Sequence, residues 1–229
     1  MTAAERTMTT EAARAGREST GTSMTRRDEL RRKALDNMRE AAVLMLDGHF
    51  DYGNGFHGRV YVNPHQIFRQ PSLIWRFAQD LIEILPAPVV QATEVVAGPV
   101  MGGALLAHTM AGLLDGRRSL THPPTTFAPL SLDATGSLAI RSFYRGVVRG
   151  RRVLLVDDVR NTGKTFERAR TLVEQAGGTV IATAQLCDRL EALVDLGLPN
   201  YALAEYPAPE NYPAVECPLC KAGTPITSF

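Results

Sequence analysis

Asp157 and Asp158 stand side by side in VLLVDDVRNTGKT, Val153 to Thr165, and a loop of hydroxyl, amide and small residues follows them: Asn161, Thr162, Gly163 and Thr165. Two carboxylates at the end of an apolar run, then a loop that opens a helix, suit a ligand carrying both hydroxyls and an anion. The helix start offers free N–H groups and the positive end of a dipole to the anion. The acids alone would repel that anion. They become favourable when a sugar lies between, because each carboxylate accepts from a hydroxyl. The spacing predicts a ribose 5-phosphate site, with the phosphate in the loop and Asp157 and Asp158 on the 2- and 3-hydroxyls. The stretch also ends in Gly-Lys-Thr, like a nucleotide-binding P-loop. That loop needs glycine five residues before the glycine of Gly-Lys. Asp158 occupies the position, with a side chain and a charge that both oppose a phosphate, so the P-loop is excluded.

These residues require a strand to deliver the acids and a helix to receive the phosphate. RRVLLVDD reads as a buried strand, TFERARTLVEQAG as a helix ended by glycine, and GTVIATAQLCD as the next strand. Upstream, TEVVAGP is a short strand ending in a turn, GGALLAHTMAGLL a helix, and residues 125–129 another strand. Strands alternating with helices of this length imply a parallel sheet covered on both faces, an α/β fold expected to have five strands. Apolar steps of three and four predict a first helix over residues 26–46, stopped by Gly48. A second is predicted from Pro71 to about Leu85, with Trp75 among its packing residues. A short strand is expected at residues 59–62, and SLAIRSFYRGVVRGR is expected to form a hairpin. Residues 1–24 are rich in Thr, Ala, Ser, Glu and Arg and read as a disordered tail. The expected organisation is thus a tail (1–24), an N-terminal helix and hood (25–70), a core (71–205) and a C-terminal tail (206–229).

VLLVDDVRNTGKT resembles the phosphoribosyl-pyrophosphate (PRPP) signature of type I phosphoribosyltransferases. On that resemblance Asp157 and Asp158 are the catalytic acids, and Val159, Arg160, Asn161, Thr162, Gly163, Lys164 and Thr165 form the sugar-phosphate loop. VVAGPVMGGALLAHTMAGLL is similar to the family's pyrophosphate loop, which implies that Val100, Met101, Gly102 and Gly103 present backbone N–H groups to the diphosphate. GHFDYGNGFHGRVYVNPHQIF looks like the hood of the orotate members, placing His57 near the base. AGGTVIATAQLCDR is similar to their strand ending in Asp-Arg, so Arg189 matches the contact to the orotate carboxylate. The resemblance implies transfer of a phosphoribosyl group from PRPP to a nitrogenous base, orotate first, with Mg²⁺ accompanying PRPP and a homodimeric assembly.

Three departures stand against that pattern. The hood lacks its usual Ser-Gly-cation step and reads Asn54-Gly55-Phe56-His57-Gly58. Asn161 replaces a threonine. After Phe127-Ala128, where a cation and a glutamate normally open a mobile loop, the chain has Pro129, Leu130 and Ser131. No lysine is available in that loop, which leaves Arg141 and Arg145 as its cations for the departing diphosphate. The alternatives are transfer to a different base and a PRPP- or nucleotide-binding regulator that has lost the catalytic loop.

The remaining motifs are sparse. Cys217 and Cys220 form CPLC, half of a zinc site; completing it requires a histidine or a second subunit's pair, and no two histidines show metal spacing. Three cysteines do not describe a disulfide framework. A net charge of +1 gives no general pull toward nucleic acid or membrane. No run of about 18 apolar residues is present, so a cytoplasmic location is expected.

Overall fold

The computed structural model describes residues 25–52, 55–119, 121–191, 194–207 and 211–228; the tail expected over 1–24 and Asn54 of the hood lie outside them. Helix α1 (Arg26–Glu40) opens on a capping box between Thr25 and Asp28. It ends sooner than the periodicity predicts. Ala42 takes a left-handed φ of 53°, and Leu44–Met45 forms β1 instead. Strands β2 (Phe50–Asp51), β3 (Phe56–Gly58) and β4 (Tyr61–Val62) follow, then short α2 (His65–Phe68), α3 (Pro71–Ile84) and α4 (Ala87–Ala92). Trp75 is 48% exposed, because Ile74, Phe77, Ala78 and Leu81 occupy the inward face of α3.

The core runs β5 (Val95–Pro99), α5 (Gly102–Gly116), β6 (Thr126–Leu132), β7 (Leu138–Ala139), α6 (Ser142–Val148), β8 (Arg152–Arg160), α7 (Lys164–Gln175), β9 (Thr179–Asp188) and β10 (Asn200–Glu205). The sheet order is β10-β9-β8-β5-β6-β7, parallel except for β7. Alternate residues serve opposite faces, as strand geometry demands. Val96, Leu154 and Val156 pack with α1, α3 and α5; Val95, Val153 and Leu155 pack with α6 and α7. The hairpin expected from SLAIRSFYRGVVRGR is confined to Leu138–Ala139 against β6. From Ser142 the chain is helical, so that Tyr144, Val147 and Val148 reach the second core face together.

The C-terminal segment adds β11 (Asn211–Pro213), a single 3₁₀ turn (Ala214–Glu216) and α8 (Pro218–Lys221). It does not hang free. β11 pairs antiparallel with β3, giving a three-stranded hood in the order β11-β3-β2. No described helix is long and apolar enough to cross a membrane.

Candidate active site

The chain leaves β5 towards β6 on one side and later returns as β8 on β5's other side. The carboxyl ends of β5 and β8 therefore flank a topological switch point, where loops depart in opposite directions and open a crevice. A cleft of about 620 Å³ lies there. Its floor is Asp157, Asp158 and Val159 from β8, with Val100, Met101 and Gly102 on one side and Asn161, Thr162 and Thr165 on the other. Its far end is Tyr52 and Tyr61 from the hood, Arg189 and Glu191 after β9, and Asn211 of β11. A smaller adjoining recess of about 100 Å³ lies at the start of α7, lined by Asn161, Thr162, Gly163 and Thr165.

The recess is built for an anion. Gly163 is the N-cap of α7 at φ 86°, a left-handed backbone that favours glycine, and no side chain caps the helix. The first-turn N–H groups face it with the helix dipole behind them. Arg160 lines the recess, but its Nη1 bonds Asp188 at 3.2 Å and its Nη2 bonds the Val194 carbonyl at 3.2 Å. It braces the loop from behind. Lys164 is exposed and lines neither cavity.

The acid pair is held by backbone. Asp157 Oδ1 accepts from Asp158 N at 2.9 Å, and Asp158 Oδ1 from Val159 N at 2.6 Å. Burial, then the Asp158 charge, pushes the Asp157 carboxyl well above the usual range; burial also raises Asp158, against the pull of the Val159 N–H. A buried and a half-buried carboxylate side by side are a costly arrangement that a ligand hydroxyl or metal relieves.

The β5–α5 loop approaches this pair closely and contains a cis peptide at Val100–Met101. A Cβ on Gly102 would overlap the Asp158 carboxylate and the Phe68 ring. Gly103 lies behind the floor, where a Cβ would crowd Asp157 Oδ1 at 2.8 Å. Gly102→Ala is therefore expected to displace the Asp158 carboxylate more readily than the backbone. Affinity for the expected ribose-phosphate ligand should fall about tenfold or more, while the added methyl costs about 1–3 kcal/mol of stability. Calorimetric titration and a thermal melt on the same preparation check the two effects separately.

At the far end, Arg189 is 8% exposed, 5.6 Å from the Tyr52 ring centroid, with Glu191 Oε1 3.6 Å from its Nη2. Its Nε and Nη2 have no hydrogen-bond partner among the described residues. Tyr52 and Tyr61 lie near-parallel, centroids 6.3 Å apart. A planar, anionic group suits a cleft end lined by aromatic rings and a guanidinium.

A sequence profile of the phosphoribosyl transferase domain matches residues 73–196. Orotate phosphoribosyltransferase of Heliobacterium modesticaldum is 34% identical over 194 residues, covering 84% of this chain and 94% of its own. The chain belongs to the orotate phosphoribosyltransferase family. The Sphingopyxis alaskensis member is 33% identical, over 80% of this chain and 88% of its own. Among solved structures, Aeropyrum pernix orotate phosphoribosyltransferase aligns with a TM-score of 0.58 at 20% identity, over 74% and 92% of the two chains. Adenine phosphoribosyltransferase of Thermoanaerobacter pseudethanolicus aligns at 0.57 and 20%, over 75% and 99%. The fold is thus shared by orotate and adenine phosphoribosyltransferases, and the base must be argued from the far end of the cleft.

Of the residues the sequence nominates, Asp157, Asp158, Val159, Asn161, Thr162, Thr165, Val100, Met101, Gly102 and Arg189 line the cleft, and Arg160 and Gly163 its recess. His57 does not: its ring is buried and turned toward His49 and Cys220, away from the cleft. Tyr52, Tyr61, Glu191 and Asn211 were not foreseen. Both tyrosines flank the Gly-rich hood stretch, where aromatic residues beside an expected base site were the available signal.

Proposed function

We propose that the chain transfers the phosphoribosyl group of PRPP to orotate, releasing diphosphate and forming orotidine 5′-monophosphate, a step of pyrimidine synthesis. The observation that carries this reading is a buried guanidinium, Arg189, lining one end of a cleft whose other end is a helix N-terminus. The 5-phosphate occupies the recess before α7, and Asp157 and Asp158 accept from the ribose hydroxyls. The N–H groups of residues 100–103 receive the diphosphate, and Arg189 pairs with the carboxylate of the base. The base nitrogen replaces diphosphate at the anomeric carbon through an oxocarbenium-like centre, and the two carboxylates stabilise its positive charge. Fixing both reactants in one cleft supplies the rest.

Mg²⁺ fits the site, since the donors facing the cleft floor are carboxylate oxygens of a hard type. Asp157 and Asp158 would hold it together with PRPP, and when bound it neutralises diphosphate charge. The chain's own loop cations do little of this: Arg145 Nε donates to the Ile140 carbonyl at 3.2 Å, and neither it nor Arg141 lines the cleft. A cytoplasmic homodimer belongs to the same reading.

The test is diphosphate release from PRPP and Mg²⁺ with orotate, uracil, adenine or guanine as acceptor. Turnover is expected with orotate, at least about 100-fold above the other bases. Turnover with adenine alone, or PRPP binding with no release for any base, would overturn the reading.

A further inference from the structure

CPLC finds its missing ligands inside the same chain. His49 precedes β2, His57 lies in β3, and the hood hairpin brings the two together, contrary to their lack of metal spacing in sequence. Cys217 and Cys220 flank the start of α8, and one ligand atom from each of the four residues lies within 4.8 Å of the others. His49 Nε2 is 3.5 Å from Cys217 Sγ and 3.6 Å from Cys220 Sγ. His57 Nδ1 is 3.3 Å from Cys220 Sγ and 3.3 Å from His49 Nε2.

Those separations are the edges of a zinc tetrahedron. With Zn–S about 2.3 Å and Zn–N about 2.0–2.1 Å, the tetrahedral angle sets two nitrogens about 3.3 Å apart and a nitrogen and a sulfur about 3.5 Å apart. The outer nitrogens point the same way. His49 Nδ1 lies 2.8 Å from the Thr224 carbonyl and donates to it; His57 Nε2 faces Asp51 Oδ1 at 3.9 Å. Such outer partners orient metal-bound imidazoles and fix the tautomer. With Nδ1–H on the Thr224 carbonyl, His49 Nε2 is left with a lone pair aimed into the cluster, toward His57 Nδ1 and both sulfurs.

We propose that His49, His57, Cys217 and Cys220 bind one zinc ion per chain, which pins the C-terminal segment onto the hood. Two thiolates and two imidazoles in a closed tetrahedron select zinc and leave no open position, so the site is structural. Backbone bonds support the same join: Asp51 N donates to Thr227 O at 3.0 Å, and Thr227 N to His49 O at 2.8 Å. The join also sets the base end of the cleft, because Tyr212 of β11 pairs with His57 and carries Asn211 into the lining.

The test uses the full chain purified under reducing conditions. Elemental analysis should find about one zinc per chain, falling to near zero in Cys217→Ser/Cys220→Ser, and a strong chelator should lower the melting temperature of the parent only. Since the double variant can fail to fold without its staple, Co²⁺ substitution of the parent decides: visible bands of a tetrahedral ion with thiolate charge transfer are expected. A parent that holds no zinc after incubation and dialysis, or shows no thiolate band with Co²⁺, overturns the proposal. So does zinc retained by the double variant, or half an equivalent per chain, which marks a site shared between subunits.

Discussion

Changing Asp157 and Asp158 together to asparagine is expected to weaken PRPP binding severely and, in the same protein, to raise the melting temperature of the free chain. The binding loss follows from the ribose. Two charge-assisted hydrogen bonds, at about 1.5–3 kcal/mol each, are weakened together, so affinity in the presence of Mg²⁺ should fall about 100-fold or more. The stability gain follows from burial. Both carboxyls are raised in the folded chain, Asp157 by desolvation and then by its neighbour's charge. Their contribution is therefore intact below the unfolded value, about 3.9, and is lost as pH rises from there through the folded values. Asparagine keeps an Oδ1 to accept from the backbone N–H groups of Asp158 and Val159, and removes the charges. The variant's advantage in melting temperature should be small near pH 4 and grow toward pH 8, each 1 kcal/mol adding roughly 2–4 °C. Calorimetric titration with PRPP and melts across that pH range check both halves. An unchanged PRPP affinity would remove the ribose role; a variant that melts lower throughout would show that the pair is structural.

The contrast between those carboxylates and the zinc ligands explains what the sequence exposes. The acid pair, the loop and the helix start are contiguous, so Val153 to Thr165 displays strand, charge and glycine in one reading frame. The core strands are equally legible, because β8 is buried on both faces and carries the continuous apolar run Val153–Val156, and β9 is an apolar run broken only by Thr183 and Gln185 before its end. β10 is not legible: its Tyr-Ala-Leu-Ala stretch is short, and its strand state comes from pairing with β9. α6 departs from the expected hairpin because an apolar-polar alternation and a short helical face share the same residues, and packing on the second core face favours the helix. The hood was least legible. Its third strand and half of its metal ligands come from beyond residue 210, and nothing local to His49 or His57 announces that partner. The same distance hid Asn211 from the cleft.

The base end supplies the second large effect. Arg189→Met is expected to lower kcat/KM for orotate by roughly 30- to 700-fold, the equivalent of about 2–4 kcal/mol for one partner of a desolvated charge pair. PRPP affinity should change little, because Arg189 lies with the hood tyrosines and the acid pair holds the sugar. The preference for orotate over uracil, which lacks the carboxylate, should collapse toward the ratio set by ring contacts alone. A structural role for Arg189 predicts otherwise. Its Nε and Nη2 make no hydrogen bond among the described residues, and its ion pair with Glu191 is long at 3.6 Å. Replacing such a buried cation with an apolar side chain of similar length should leave stability equal or higher. The decisive pattern is thus a melting temperature that holds or rises, PRPP titration unchanged, and orotate discrimination lost. If instead the variant melts lower and loses PRPP and orotate together, Arg189 is a brace for the hood, and the carboxylate must be recognised elsewhere in the cleft. Lys at this position should recover only part of the activity, since an ammonium offers charge without the planar fork that matches a carboxylate.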